Sequence, residues 1–166
     1  MPPNSSFDVS TGVDLQEVDN AVNQALKEIR TRYDFKSTNC TIELDRKEGA
    51  IRLEADDKFR LEAVRQVLRE KLARRSVPLK NLDDGQIEIS SMARARQRIG
   101  LKLGIDQETA KKISREVRDQ KFKKVQVQIH GDELRVISSS KDTLQAVIDF
   151  LGSRDFGVAL SFGNYR

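Results

Sequence analysis

The stretch VQVQIHGDELRVISSSKDTLQAVIDFL at residues 125–151 decides the fold, because it contains the pattern of two strands and a helix in direct succession. Apolar and polar residues alternate on both sides of Gly131, which suits a tight turn between two antiparallel strands. Ser139, followed by Asp142 three residues later, is typical of a capping box at a helix start. The apolar period then becomes helical, with one stripe formed by Leu144, Val147, Ile148 and Leu151. The stretch therefore predicts a β-hairpin followed by an amphipathic helix.

The same pattern occurs earlier in the chain at a constant offset of 83 residues. LEAVRQVL at 61–68 aligns with LQAVIDFL at 144–151, and the apolar pair Ile51 and Leu53 also has its counterpart 83 residues later. An internal duplication explains both matches. Around each copy the predicted order is strand, helix, hairpin, helix, strand, which is the split βαββαβ unit of ferredoxin-like folds. We predict an α+β fold with two such domains in tandem, each with its helices on one face of an antiparallel sheet and the other face open.

The boundary between the two domains is predicted near residue 92, giving a first domain over 1–92 and a second over 93–166. VPLKNLDDG at 77–85 has the composition of a linker, and QIEI at 86–89 predicts a closing strand. The odd positions from 87 to 103 keep one apolar phase across this boundary. The sequence is therefore compatible with the exchange of an edge strand between the two domains.

Composition restricts the class of protein. Cys40 is the only cysteine, so an intrachain disulfide or a thiolate cluster is excluded and a reducing compartment is indicated. The N-terminal residues lack the pattern of a signal peptide, and no apolar run reaches membrane-spanning length. We expect a cytoplasmic, soluble protein. Residues 94–166 carry 15 Lys and Arg against 9 Asp and Glu, whereas residues 1–93 carry 15 against 17, so the second half is expected to meet an anionic partner.

The basic excess begins with a strand of unusual charge, MARARQRIGLKLG at residues 92–104. Its cations fall on alternate positions and would project from one side of a sheet. The predicted open face of the second domain adds polar residues from the hairpin at 125–136. We predict a nucleotide-binding face made of Arg94, Arg96, Arg98, Lys102, Gln126, Gln128 and Arg135.

Arginine chemistry favours phosphate or guanine as the ligand of this face. The guanidinium makes bidentate hydrogen bonds to phosphate oxygens and to the O6/N7 edge of guanine. The face has no aromatic residue on which bases could stack, which disfavours the stacking mode of RNA-binding relatives of this fold. The alternative is a solubilising face or a charged edge that prevents sheet aggregation. The equivalent face of the first domain is predicted to be mixed in charge.

A second group of cations follows on and after the third predicted helix. It would extend a nucleic-acid track around the domain edge, and the alternative is an ordinary solvated helix face. Its members are Lys111, Lys112, Lys121, Lys123 and Lys124. No metal-binding cluster, Gly-rich phosphate loop or catalytic motif is present in the sequence, so we predict neither an enzyme nor a bound metal or other cofactor.

Several motifs resemble the bacterial YajQ family across nearly the whole chain. They are FDVS at 7–10, RYDF at 32–35, QKFKKVQVQIHGDELRVISSSKDTLQAVI at 120–148 and FGNYR at 162–166. The resemblance implies two ferredoxin-like domains of the RNP type in a cytoplasmic, nucleotide-binding protein without a family-wide catalytic site. It also implies cyclic di-GMP as a ligand in some members, which act with a transcription regulator, and an association with RNA.

The leading hypothesis is a non-enzymatic protein that binds a guanine nucleotide such as cyclic di-GMP and signals through a protein partner such as a transcription regulator. The main alternative is an RNA-binding or RNA-chaperone module that uses the same basic face. A third is a homo-oligomer in which the open sheets are buried between subunits.

Overall fold

The computed structural model describes residues 4–32, 35–36 and 38–166. Tyr33, which the sequence places on the apolar stripe of the first helix, lies outside the described residues, as does part of the RYDF motif.

The elements follow the predicted order closely. The helices are α1 (Leu15–Thr31), α2 (Lys58–Arg74), α3 (Gln107–Asp119) and α4 (Lys141–Gly152). The strands of the N-terminal part are β1 (Ser5–Ser10), β2 (Thr41–Asp45), β3 (Ala50–Ala55), β4 (Leu82–Asp84) and β5 (Glu88–Ile89). The remaining strands are β6 (Ala95–Leu101), β7 (Val125–His130), β8 (Glu133–Ser138) and β9 (Ser161–Gly163).

Side-chain caps define the helix starts. Asp14 accepts a hydrogen bond from the backbone of Gln16 at the start of α1, and Asp106 caps α3 as predicted. The cap of α4 is Ser140, which accepts from the backbone of Thr143, and the predicted Ser139 is one residue too early. Serine is a favoured capping residue at either position, and the hydrogen bond from the Thr143 amide to the Ser140 hydroxyl identifies Ser140 as the cap.

The chain forms two compact units, and one of them is discontinuous in sequence. The continuous unit is Val13–Lys102, and the discontinuous unit combines Met1–Gly12 with Leu103–Arg166. The continuous unit has a five-stranded antiparallel sheet in which β2, β3, β6 and β4 are neighbours in that order and β5 also pairs with β6. The discontinuous unit has a four-stranded sheet in the order β7, β8, β1, β9.

The predicted boundaries, 1–92 and 93–166, are therefore wrong at two places. β1 pairs with β8 and β9 and so belongs to the sheet of the discontinuous unit, although it lies at the start of the chain. β6 pairs with β3 and β4 and belongs to the sheet of the continuous unit. The strand that precedes α1 and the strand that precedes α3 thus occupy each other's expected places. Each unit keeps the ferredoxin-like arrangement because a strand of matching length and apolar phase fills the missing position.

Burial explains why each strand stays where it does. Phe7 and Val9 of β1 are completely buried in the core of the discontinuous unit, beside Leu134 and Val136 of β8. In the continuous unit, Ile99 of β6 is equally buried in a core that α1 and α2 cover. Burial of each large apolar side chain stabilises the fold by about 1.5–3 kcal/mol. Removing either strand from its sheet would therefore lose several such contributions at once.

Candidate functional site

The open face of the continuous unit's sheet carries the arginines that the sequence singled out. Alternation along β6 points Ala95, Gln97 and Ile99 toward the helices, where they are buried, and leaves Arg96 and Arg98 exposed on the opposite face. The register places Arg96 opposite Glu54 and Arg98 opposite Arg52 of β3.

A concave pocket of about 460 Å³ lies on this face. Such a volume is within the range of small-molecule sites, about 300–1,000 Å³. We call it the β6 pocket. Its lining residues are Thr41, Glu43, Arg52, Leu53, Glu54, Gly85, Gln86, Glu88, Arg96, Gln97 and Arg98.

Arg94 is held by carboxylates beside this pocket. Its guanidinium donates to Glu54 and to Asp56, each at 2.8 Å, and to the carbonyl oxygen of Asn39 at 3.0 Å. The hydrogen bond to Glu54 contributes most to raising the pKa of Arg94 above its ordinary value. Because its donors already have acceptors within the protein, Arg94 has the arrangement of a structural clamp between β3 and the start of β6.

Two further arginines of this face are also paired, but their side chains are more exposed than that of Arg94. Arg52 lies 2.8 Å from Asp45 and 3.7 Å from Glu43. Arg96 donates to Glu88 at 3.1 Å, and about two thirds of each of these two side chains is exposed. Exposed pairs of this kind contribute little net free energy, typically about 0–1 kcal/mol, so a ligand can compete for Arg96 at small cost.

Arg98 differs from these arginines. Among the described residues its guanidinium has no hydrogen-bond or ion-pair partner, although it is exposed beside the β6 pocket. Its cross-strand neighbour is Arg52, and like charges directly opposite each other destabilise a sheet. The position thus has an available guanidinium on a face where the neighbouring arginines are already paired with carboxylates.

The rim of the pocket is fixed by Gly85. Its amide donates to the carbonyl oxygen of Arg98 at 2.8 Å, and its own carbonyl accepts from the buried side chain of Gln97 at 2.7 Å. A Cβ at this position would lie 2.6 Å from the carbonyl oxygen of Arg98, so only glycine permits this close approach. The segment that leads to Glu88 is thereby held against β6.

Lys102 follows the last residue of β6. Its amide donates to the carbonyl oxygen of Asn81, whose side chain donates to the carbonyl oxygen of Lys102 at 2.9 Å. This reciprocal pair fixes the backbone at the end of the strand, and Lys102 is half-buried and does not line the β6 pocket.

The other predicted site residues lie in the sheet of the discontinuous unit. Gln128 of β7 is opposite Arg135 of β8, which in turn is opposite Asp8 of β1. Arg135 donates to Asp8 at 3.0 Å, and Asn164 donates to the same carboxylate at 2.6 Å. Arg135 chiefly, and then Asn164, holds the pKa of Asp8 below its ordinary value.

Gln126 is exposed on the same side of β7, and Gln128 lies 2.9 Å from His130. The face of this sheet is therefore polar, and its cation Arg135 already has a carboxylate partner.

The prediction of one shared basic face is consequently wrong. The four cations of residues 94–102 belong to the continuous unit, whereas Gln126, Gln128 and Arg135 belong to the sheet of the discontinuous unit. Because β6 belongs to the sheet of the continuous unit, its arginines share a face with Glu43, Glu54 and Asp45. The sequence had placed these carboxylates in the first predicted domain and the arginines in the second. The charge asymmetry also shrinks: the continuous unit has 19 Lys and Arg against 16 Asp and Glu, and the discontinuous unit has 11 against 10.

The second group of cations keeps its predicted place on α3 and the following loop. Its five members are exposed, and Lys112 lies over the ring of Phe156, 5.9 Å from the centroid. Lys121 and Lys124 adopt positive φ angles of 56° and 58° in the turn between α3 and β7. These lysines belong to the discontinuous unit and not to the sheet of the arginines.

Sequence reasoning predicted the strand that contains Arg52 and Glu54, but it missed the position of this strand beside β6 and the rim at Gly85. Arg52 and Glu54 alternate on β3 in the same way as the arginines on β6, but no sequence pattern indicates that β3 pairs with β6. Gly85 follows two aspartates in a stretch typical of a linker, and nothing there indicates its close approach to Arg98.

Two classes of feature are absent from the part of the chain that the structure describes. It contains no group of three or more His, Cys, Asp or Glu residues placed to hold a metal ion. None of its helices has the length and apolar character needed to cross a membrane.

Comparison with known proteins gives one consistent result. A family model described as "Nucleotide-binding protein YajQ-like" matches residues 5–166. The chain is 51% identical over 166 residues to a "Nucleotide-binding protein" of Carboxydothermus hydrogenoformans, with both chains fully covered. It is 46% identical over 161 residues to one of Chloroherpeton thalassium, covering 97% of each chain, and 45% identical over 166 residues to one of Bacillus cereus, covering each completely. The duplicated ferredoxin-like architecture and these whole-length matches agree, and the chain belongs to the YajQ-like family.

Proposed function

We propose that this protein is a non-enzymatic nucleotide-binding protein and that its ligand occupies the β6 pocket. Its relatives carry the name nucleotide-binding protein, which supports the class of ligand. The observation that carries the location is the guanidinium of Arg98, which is exposed beside the pocket and without a partner among the described residues.

The chemistry of the pocket suits a guanine nucleotide. Arg98, with the weakly paired Arg96, offers donors for phosphate oxygens or for the O6/N7 edge of guanine. The carboxylates of Glu43 and Glu88 are mostly exposed on the same face and can accept from the exocyclic amino group of guanine. A mixed face thus has complementary groups for both parts of such a ligand, whereas the carboxylates would repel a bare phosphate chain.

Cyclic di-GMP, which the family resemblance implies, combines two guanines with two phosphates and is the guanine nucleotide that we propose. A protein partner such as a transcription regulator would then receive the signal. Gln126, Gln128 and Arg135 are left out of this site because they lie in the other sheet.

Isothermal titration calorimetry with cyclic di-GMP tests the proposal. Removing a hydrogen-bond partner of a charged group costs about 1.5–3 kcal/mol, so Arg98→Ala should weaken binding about 10- to 100-fold. Arg74→Ala is the matched control, because Arg74 is an exposed arginine in the last turn of α2 and lines no pocket described above. The control should bind like the wild type. Equal affinity in Arg98→Ala and wild type, or equal losses in both variants, would contradict the location.

An RNA-binding module on the same face is the second candidate, and the structure gives it less support because three of the four arginines on this face have carboxylate partners. A salt series separates the two ligands. Binding dominated by phosphate contacts weakens steeply with salt, in proportion to the number of phosphates neutralised, whereas a dinucleotide neutralises few. A steep dependence for single-stranded RNA together with no heat from cyclic di-GMP would favour the RNA-binding function.

A further inference from the structure

The edge of the discontinuous unit's sheet has the features of a docking site for an extended peptide. β7 is the outermost strand, and among the described residues its strand pairing is with β8 alone. A strand in this position presents unpaired backbone donors and acceptors along one side.

Proteins usually protect such an edge with charges, proline, a bulge or short length. β7 has the sequence VQVQIH over six residues and includes no Lys, Arg, Asp, Glu or Pro. The edge strand β2 of the continuous unit is a contrast, because its five residues include Glu43 and Asp45. β9, at the other edge of the discontinuous unit's sheet, is only three residues long. β7 is therefore the long, uncharged edge of its sheet.

A groove runs beside this strand, between β7 and the helix α3 that packs against it. Its volume is about 140 Å³, close to that of an apolar cavity of about 150 Å³ that accommodates benzene in another protein. The groove is thus large enough for one aliphatic or small aromatic side chain. Its lining residues are Ser114, Val117, Arg118, Phe122, Val125 and Val127.

Positive charge surrounds one end of the groove. Arg118 lies on its wall, and Lys123 and Lys124 directly precede the first residue of β7. These three side chains and Lys121 are exposed, and none has a carboxylate partner among the described residues. The opposite end of β7 leads into the turn with Asp132 and Glu133 of the β7–β8 hairpin. The charge of the edge is therefore polarised along the strand.

We propose that β7 and the α3 groove bind an extended segment of a partner protein, which adds to the sheet as a further strand. Main-chain hydrogen bonds to β7 provide affinity in this mode of recognition, and alternate side chains provide specificity. The segment carries one apolar side chain into the groove and acidic residues next to Lys123 and Lys124. In an antiparallel addition, which is the commoner strand pairing, the acidic residues follow the strand-forming part of the segment. The proposal is independent of the nucleotide site in the other unit.

Fluorescence anisotropy with a labelled synthetic peptide tests this inference on the full-length protein. The probe has threonine and valine alternating over six positions, followed by two glutamates, and the control peptide has two lysines in place of the glutamates. We expect the acidic probe to bind and the control peptide to bind at least about 10-fold more weakly, since both glutamates lose their cations and gain like-charge repulsion.

Protein variants locate the contact. Lys123→Glu/Lys124→Glu should weaken the acidic probe about 10-fold and strengthen the control peptide. Lys27→Glu/Lys47→Glu introduces the same change in charge at two exposed lysines of the continuous unit and should leave both affinities unchanged. Amide hydrogen exchange must then show slower exchange within residues 125–130 in the presence of the probe, because the edge amides acquire acceptors.

Three results would overturn the proposal. The first is equal binding of the two peptides, and the second is binding of the acidic probe without slower exchange in β7. The third is binding of a single-stranded oligouridylate that depends on Lys123 and Lys124 while the acidic probe does not bind, because the basic residues would then form a nucleic-acid site.

Discussion

Replacing Phe7 with alanine should destabilise the C-terminal part of the protein, although Phe7 is among its first ten residues. Its side chain is completely buried, and its ring lies 6.0 Å from that of Phe162 in an edge-to-face arrangement and 6.4 Å from that of Tyr165. Phe→Ala substitutions in a core cost about 3–5 kcal/mol. The total stability of a domain is about 5–15 kcal/mol, so the loss would be a large fraction of it.

Native-state hydrogen exchange with detection by mass spectrometry can resolve where this loss occurs. For amides that exchange through unfolding of the discontinuous unit, about 3–5 kcal/mol corresponds to exchange about 10²- to 10⁴-fold faster. We expect this acceleration in peptides from α3, β8 and α4. Peptides from α1 and α2 should keep the protection of the wild type, because Phe7 belongs to the other core.

Ile51→Ala provides the reciprocal control. Ile51 is completely buried in the core of the continuous unit, and its replacement should cost about 2–5 kcal/mol. Protection should then fall in α1 and α2. The reasoning is refuted if Phe7→Ala lowers protection in α1 and α2 as much as in α3 and α4, or if the two variants give the same pattern.

The remaining predictions concern single contacts. Asp8→Asn should lower the stability of the protein at pH 7, because Arg135 holds the pKa of Asp8 below its ordinary value. The stability difference between wild type and variant should be present above about pH 4 and disappear as the pH falls through the lowered native pKa. Urea unfolding of both proteins at pH 7 and pH 2.5 measures this difference, and an undiminished difference at pH 2.5 would contradict the prediction. Gly85→Ala should destabilise the continuous unit by about 1–3 kcal/mol in urea unfolding, because its Cβ would overlap the carbonyl oxygen of Arg98, and wild-type stability would show that the rim can shift freely. Ser140→Ala should lower the stability of the discontinuous unit by about 1 kcal/mol through loss of the α4 cap, whereas an equal effect of Ser139→Ala would contradict the assignment of the cap.

Local structure was predictable because it depends on neighbouring residues. The alternation in 125–129 and the helical stripe from Leu144 each involve side chains that face one surface, and the structure has β7 and α4 in these places. The duplicated ferredoxin-like fold followed from the offset between two such patterns. β4 was missed because its three residues, Leu82–Asp84, lie in a stretch whose composition is typical of a linker.

The candidate site was predictable only in part. The exposure of Arg96 and Arg98 on one side of β6 follows from the strand period. The partners of that side do not follow from it, since Glu54 and Asp56 lie about 40 residues away in sequence and approach Arg94 only through strand pairing. A row of cations in sequence thus became a mixed surface in which Arg98 is the arginine without a partner among the described residues.

The amino-acid sequence determined the helices, most of the strands, the duplication and the face that each side chain occupies, because periodicity and capping operate within one element. Tertiary structure decided which sheet each first strand joins. β1 and β6 have similar length and both alternate, so the strand pattern by itself does not assign either one to a sheet. The pairing with β8 or β3 and burial in the corresponding core do. That choice placed Arg98 in a different sheet from Gln128 and Arg135, opposite Arg52 of β3.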